Sequence, residues 1–263
     1  YEGIGVDTCY ATAAKWFLEA ANHDNKDAQY DLGNCYYRGY GVERDYKEAV
    51  RWFSLSADNG NARAQNTLGY CYENGQGVEV DFNKAFEWYS KAAEMGDAQA
   101  QFNIAQYYYR GAIVPKDYVK AVEMFGKSAE QGNVDAQFAL ASCYEYGIGV
   151  EQNYAAAAFF YRKAAEQGDA ESQCVLGKCY QNGQGVQQSY ELAVEWFRKA
   201  AEQGHAPSQC SIGLCYETGG GVIKDLTEAV GWYKKAAEQG YAAAQCNLGY
   251  CFKNGIGIKQ DEE

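Results

Sequence analysis

Apolar and polar positions follow a helical pattern along the chain, and the segment between Asn61 and Gly75 shows it clearly. Ala64, Leu68 and Tyr72 recur there at intervals of four residues, which places them on one face of an α-helix. Asn is a favourable N-cap residue, and Gly is favourable just beyond the end of a helix. The pattern therefore predicts a first helix, helix A, between Asn61 and Gly75.

A second amphipathic segment, helix B, follows a short glycine-containing loop. Asp81 is placed to cap its start, and Gly96 is placed to terminate it. Between these residues, Ala85, Trp88 and Ala92 share one helical face. The two segments together predict a helix-turn-helix unit with an apolar face on each helix.

This unit repeats along the chain with a period of 36 residues, and positions that correspond at this period are called columns here. One glutamine column has no insertion or deletion: Gln29, Gln65, Gln101, Gln137, Gln173, Gln209 and Gln245. Two short helices cannot bury both of their apolar faces alone, so each unit must stack on its neighbours. The sequence therefore predicts an all-α fold, a right-handed superhelical α-solenoid of tandem helix-turn-helix repeats.

Two further columns carry small residues. The first loop residue is always glycine: Gly3, Gly39, Gly75, Gly111, Gly147, Gly183, Gly219 and Gly255. A second glycine follows two residues later except at Ile113, which together with Pro115 predicts an altered loop in that copy. On helix A, a Gly or Ala column is expected to leave room for an adjacent backbone: Gly33, Gly69, Ala105, Ala141, Gly177, Gly213 and Gly249.

The repeat also resembles a known family. The chain has Leu-Gly-x2-Tyr-x2-Gly-x-Gly-Val from Leu68 to Val78, and Asp-x3-Ala-x2-Trp-Tyr-x-Lys-Ala-Ala-x2-Gly from Asp81 to Gly96. This pattern closely resembles the Sel-one-like repeat (SLR), a subclass of the tetratricopeptide-like helical repeats. The resemblance implies one solenoid over residues 1–263 with about seven units, cut from or continuing into a longer array. It also implies that helix A lines a concave surface and that the protein is a non-catalytic adaptor.

Charge and hydropathy narrow the class of partner. Of the 263 residues, 23 are Lys or Arg and 35 are Asp or Glu, so the formal net charge is −12. This balance argues against nucleic acid or an anionic membrane surface as a partner, because both require a basic contact surface. No apolar run approaches the roughly 18 to 20 residues of a membrane span.

Candidate catalytic and ligand-binding groups are few. The two histidines, His23 and His205, stand far apart in the sequence, and no nucleophile, base and oxyanion donor are grouped. The Gly-x-Gly-Val loops follow a helix rather than a strand, so they do not match a dinucleotide-binding fingerprint. The sequence therefore predicts no enzymatic activity, no cofactor and no metal site. His205 is expected to cap its helix or to lie at the surface.

The chain contains ten cysteines. Where two occur on one helix they are five residues apart, so their side chains point in directions about 140° apart, and no Cys-x2-Cys spacing occurs. We expect free thiols that pack as small hydrophobic side chains. Free thiols favour a reducing compartment and predict a cytoplasmic protein. Secretion stays an alternative, because the chain starts without Met and a leader could have been removed.

The residues of helix A that differ between copies lie on the face opposite the constant ones. Aromatic and arginine side chains are enriched on that face, and such side chains commonly provide the energy of protein interfaces. We therefore predict a partner-binding surface on the concave face, formed by Tyr30, Tyr37, Arg38, Tyr70, Phe102, Tyr109, Arg110 and Phe138. For each ring, the alternative is packing against an adjacent helix.

These features predict a non-catalytic scaffold or adaptor that binds a protein or peptide, and two alternatives stay open. End-to-end stacking would make a self-assembling structural protein, because each end of the array presents apolar residues. Those residues are Trp16 and Phe17 at one end and Leu248, Tyr250 and Phe252 at the other. In the second alternative, the aromatic groove makes the chain a carbohydrate- or cell-wall-binding module.

Overall fold

The computed structural model describes residues 9–257, and all regular secondary structure in that range is α-helical. The helices there are α1 (Tyr10–Ala21), α2 (Lys26–Arg38), α3 (Tyr46–Asp58), α4 (Ala62–Asn74), α5 (Phe82–Glu94), α6 (Ala98–Arg110), α7 (Tyr118–Glu130), α8 (Val134–Tyr146), α9 (Tyr154–Glu166), α10 (Ala170–Asn182), α11 (Tyr190–Glu202), α12 (Ala206–Thr218), α13 (Leu226–Glu238) and α14 (Ala242–Asn254). Even-numbered helices correspond to helix A and odd-numbered helices to helix B. The predicted all-α solenoid of tandem helix pairs is therefore confirmed. Gly3, predicted to open the first loop, lies outside the described residues.

The chain forms two compact units, residues 1–133 and residues 134–263. In the described part of the first unit, α1 to α7 pack in chain order. In the described part of the second unit, α8 to α14 do the same. Within each unit, every internal helix is covered by the helix before it and the helix after it, which is the nearest-neighbour stacking expected of tandem repeats.

The predicted capping residues set the ends of the helices. At the start of α4, Asn61 Oδ1 accepts a hydrogen bond from the Ala64 N–H at 3.1 Å. At the start of α5, Asp81 Oδ1 accepts one from the Lys84 N–H at 3.0 Å. Gly75, just beyond α4, has a left-handed φ of 69°, a conformation that a side chain would strain. The sequence prediction of helix A and helix B is correct at these ends.

The small-residue column of helix A accommodates an aromatic ring in addition to the adjacent backbone that the sequence predicts, since a Cβ atom on Gly213 would also lie 3.2 Å from the Ala229 carbonyl oxygen. A Cβ atom on Gly69 would lie 2.6 Å from a ring carbon of Tyr89, and one on Gly213 would lie 2.7 Å from a ring carbon of Tyr233. Both rings belong to helix B of the same repeat and are fully buried. The small residue therefore lets the two helices of one repeat pack closely around the ring.

The glutamine column forms a ladder of buried side-chain hydrogen bonds, called the glutamine ladder here. Gln173 on α10 donates from Nε2 to the Ala165 carbonyl oxygen at the end of α9, at 3.0 Å. Its Oε1 accepts from Gln203 Nε2, just beyond the end of α11, at 2.9 Å. One amide therefore joins the ends of two successive B helices through the A helix between them, and its polar atoms are satisfied away from water.

The glutamine ladder has a gap in the first unit. The residue that donates to the ladder glutamine is Asn or Gln in most copies, but Met95 occupies this column after α5. A thioether has no hydrogen to donate. Gln65 Oε1 is accordingly buried without a hydrogen-bond partner among the described residues. An unsatisfied buried acceptor of this kind lowers stability.

Replacing Met95 with Gln should stabilise the protein, because the new amide can donate to Gln65 Oε1. We expect the free energy of unfolding to rise by about 1 kcal/mol, the usual net contribution of a hydrogen bond, as measured by urea denaturation. Met95→Leu is the control, because it keeps an apolar side chain of similar size. The reverse change, Gln131→Met, removes the donor to Gln101 and should lower the free energy by a similar amount. Equal stability of Met95→Gln and Met95→Leu would contradict this account.

Candidate functional site

The eight residues of the predicted binding surface lie on four even-numbered helices. Tyr30, Tyr37 and Arg38 are on α2, Tyr70 is on α4, Phe102, Tyr109 and Arg110 are on α6, and Phe138 is on α8. Phe138 belongs to the second unit, and the other seven belong to the first.

Three of the predicted rings pack partly into the core. Ring centroids lie 5.4–5.8 Å apart in three pairs: Tyr30 with Phe53, Phe102 with Phe125, and Phe138 with Tyr161. The second ring of each pair is the buried aromatic residue of helix B. The predicted rings are half-buried, so each has one side in the core and the rest at the surface.

The other predicted residues differ in exposure. Tyr37 and Tyr109 are half-buried and make edge contacts, at 5.2 Å between centroids, with the first residue of the following helix B. Tyr70 is 45% exposed. Arg38 and Arg110 are exposed at the ends of their helices. The arginines and Tyr70 are therefore the most accessible residues of the predicted surface.

A cavity of about 590 Å³ opens in the first unit beside α6 and is called the α6 cavity here. Two residues of the predicted surface, Phe102 and Arg110, line it. Seven further residues line it, none of which the sequence analysis placed in the binding surface: Glu73, Phe82, Asn103, Gln106, Tyr107, Ala112 and Ile113. The cavity thus combines aromatic rings with one acidic group, one basic group and two side-chain amides.

The α6 cavity lies where the loop pattern of the repeat changes. In other loops the second glycine has a left-handed φ, 76° at Gly77 and 72° at Gly185. A Cβ atom on Gly77 would lie 2.1 Å from the carbonyl oxygen of Tyr46, at the start of the preceding helix B. At Gly185 the corresponding distance, to Tyr154, is 1.9 Å. Ile113 occupies this column, and its side chain prevents the same close approach.

The backbone of this loop also lacks a hydrogen bond. After each of the other A helices, the residue that follows the first loop glycine donates its backbone N–H to the carbonyl oxygen five residues earlier. Gln76, for example, donates to the Cys71 carbonyl oxygen at 3.0 Å. Within the described chain, Ala112 is the one residue of this column that makes no such bond. The loop altered by Ile113 therefore differs from its counterparts. Phe82 at the start of α5 stays 47% exposed beside it.

Tyr107 marks a second departure from the repeat at the same place, because its column holds cysteine in the six other A helices. Its hydroxyl donates to Glu73 Oε1 at 3.1 Å, and the Tyr89 hydroxyl donates to Glu73 Oε2 at 2.9 Å. Burial and the nearby Glu73 carboxylate raise the pKa of both phenols, so both hydroxyls stay protonated. Two neutral donors therefore hold the carboxylate in the cavity wall.

All ten thiols are free, and eight of them are buried; Cys9 and Cys246 are exposed. Burial raises the pKa of Cys71 to about 12 and that of Cys35 to about 11. Such thiols stay protonated and pack as small hydrophobic groups, as the sequence predicts. Cys9 differs, because a hydrogen bond with Thr12 lowers its pKa.

The other candidate groups contribute to structure. His205 lies at the N-cap of α12, but its ring accepts no backbone hydrogen bond there. Its Nε2 lies 3.0 Å from Glu171 Oε2 and its Nδ1 lies 2.9 Å from Ser208 Oγ, so it links α12 to α10. No group of three or more His, Cys, Asp or Glu residues within residues 9–257 is placed to hold a metal ion. In the same range, no helix is both long enough and apolar enough to span a bilayer.

Stacked helix pairs that repeat every 36 residues define an α-solenoid repeat protein. A family model for the Sel1 repeat matches eight successive segments: residues 1–25, 26–61, 62–97, 98–133, 134–169, 170–205, 206–241 and 242–263. The chain therefore belongs to the Sel1-repeat family. Proteins of this family are repeat scaffolds that typically mediate protein–protein interactions.

Solved structures of Sel1-repeat proteins are similar to this chain. A protective antigen present in uropathogenic Escherichia coli strains and displaying an SLR fold is 38% identical, with a TM-score of 0.88. That match covers 96% of this chain and 54% of the antigen, so the chain spans about half the antigen's length. A Sel1 repeat protein from Oxalobacter formigenes is 33% identical over 88% of this chain and 94% of its own, with a TM-score of 0.78. None of the curated protein sequences matches the chain.

Alkylation of the native protein should modify Cys9 and Cys246 first. The thiolate is the reactive form, and the buried thiols combine poor access with a raised pKa. We expect two rapidly modified cysteines at pH 8 and ten after denaturation, counted by mass spectrometry of iodoacetamide-treated protein. Rapid native-state modification of Cys71 would contradict this prediction.

Amide hydrogen exchange should report the altered loop. The Ala112 amide should exchange at least about tenfold faster than the Gln76 amide, because only Gln76 donates to a helix-end carbonyl. Ile113→Gly removes the side chain that prevents the close approach, and it should slow exchange at Ala112. Equal protection of the two amides in the wild-type protein would contradict the assignment.

Proposed function

We propose that this chain is a non-catalytic scaffold that binds an extended segment of a partner protein along the exposed face of its even-numbered helices. We place the main contact at the α6 cavity. The observation that carries this proposal is that the cavity forms where Tyr107 and Ile113 depart from the repeat. In a repeat scaffold, packing columns are uniform, so a cavity located where the repeat pattern changes supports a binding role.

The chemistry of the cavity suits a peptide segment. Rings of Phe82 and Phe102 provide apolar area for a side chain, as at the centres of protein interfaces. Asn103 already bonds to Asn66 at 3.1 Å. Gln106, half-buried in the wall, makes no side-chain hydrogen bond within residues 9–257. Its amide is therefore available to a peptide group, which carries both a donor and an acceptor.

Self-association stays a prediction. Of the rings expected to take part, Trp16 is 67% and Phe252 is 61% exposed. Sedimentation equilibrium over a concentration series measures self-association. The same experiment gives the oligomeric state of the protein at the concentrations used for binding measurements.

Phe102→Ala tests the proposed site. Peptides enriched from a displayed random library on the immobilised protein should bind the variant more weakly by roughly 2 kcal/mol or more, measured by calorimetry. Phe160→Ala is the control, because Phe160 is also half-buried and packs on another ring, that of Tyr144, but lies on a B helix outside the predicted surface.

Both variants should lose similar stability in urea, since both remove a half-buried ring. Only Phe102→Ala should lose binding. Equal effects of the two variants on binding, or full-strength binding by Phe102→Ala, would place the contact elsewhere.

A further inference from the structure

A carboxylate that is hydrogen-bonded but not ion-paired within residues 9–257, Glu73, lies in the wall of the α6 cavity. Glu73 is half-buried, and within the described chain it forms no ion pair. Its oxygens each accept one hydroxyl, from Tyr107 and from Tyr89. A carboxylate has about four acceptor sites, so each oxygen retains one further site. Two acceptors on one planar group match the paired N–H donors of a guanidinium.

The surroundings of Glu73 favour a positive charge. Apolar rings partly remove the carboxylate from water, and the two phenols donate hydrogen bonds but carry no charge. Phe82, Phe102 and Tyr107 line the same cavity, and aromatic faces attract a planar cation. The net charge of −12 also favours encounter with a basic partner segment.

Other occupants fit less well. A purely apolar side chain would cover the rings but would bury the Glu73 charge without a partner, which is unfavourable. A carboxylate could approach Arg110, but it would then share a cavity with Glu73. Arg110 is exposed on the wall, so solvent screens its repulsion of an entering cation.

We propose that the α6 cavity receives an arginine side chain of the partner, with its guanidinium on the Glu73 carboxylate and its stem along the rings. This inference rests on the proposed function, because it names the chemistry of the partner at the same site. Tyr89 and Tyr107 are positioning residues that fix the orientation of the carboxylate.

The test compares two probes of nearly identical shape, Nα-acetyl-arginine amide and Nα-acetyl-citrulline amide. Citrulline is the neutral counterpart of arginine. In NMR titrations of the wild-type protein, the arginine probe should shift resonances of the cavity residues and bind about tenfold or more tightly than the citrulline probe. High salt should weaken the arginine probe alone.

Glu73→Gln keeps acceptor and donor atoms for the two tyrosines but removes the charge, so it should abolish the preference for arginine. Glu217→Gln is the matched control: Glu217 shares the column and accepts from Tyr233, but it does not line the cavity. Arg110→Ala should leave arginine binding equal or stronger.

Three results would overturn the proposal: equal binding of the two probes, no binding of the arginine probe at tens of millimolar, or tighter binding of Nα-acetyl-glutamate amide that depends on Arg110. In each case, library peptides that bind the wild-type protein but not Phe102→Ala would still support the peptide-binding function. If the arginine preference and the Phe102-dependent peptide binding are both absent, the arginine proposal and the peptide-binding function are both rejected.

Discussion

The buried glutamine amide of helix A is the interaction on which this repeat depends. A carboxamide offers donors and an acceptor on one rigid plane, so a single side chain can meet a helix-end carbonyl on one side and an amide donor on the other. Gln173 does this between the end of α9 and the end of α11. Packing of apolar faces brings the helices together, but it is non-directional. The amide adds direction, because it bonds only when three successive helix ends are in register.

Much of this fold could be predicted from the sequence, because the 36-residue period fixes the helix type and the order of neighbours. Asn61, Gly75 and Asp81 act where their capping preferences place them. The role of the small column could not be read in the same way. The sequence shows that Gly69 is small, but only the structure shows that the ring of Tyr89 occupies the space.

The candidate site was partly predictable for a related reason. Phe102 and Arg110 were found because they lie on the variable face of helix A. Tyr107 was missed, since its column lies on the constant face, which the sequence analysis assigned to packing, yet its side chain lines the cavity. Ile113 was recognised as a loop departure, but its consequence depends on the distance between that loop and the start of α5. The 36-residue period shows which residues differ from the rest of their column. The structural effect of such a difference depends on contacts between repeats, which the sequence does not show.

The gap in the glutamine ladder and the α6 cavity involve the same helices. Gln65 lies on α4 and Met95 follows α5, while the cavity is lined by Glu73 from α4, Phe82 from α5 and residues of α6. Since repeats are held mainly by their immediate neighbours, the missing bond makes this joint easier to open than the same joint would be with the bond present. A partner that spans these helices would therefore stabilise the joint that lacks this bond. Binding would raise the free energy needed to open this joint, and the increase would grow with the logarithm of the free partner concentration once that concentration exceeds the Kd. This joint would then couple partner occupancy to the lifetime of the folded array.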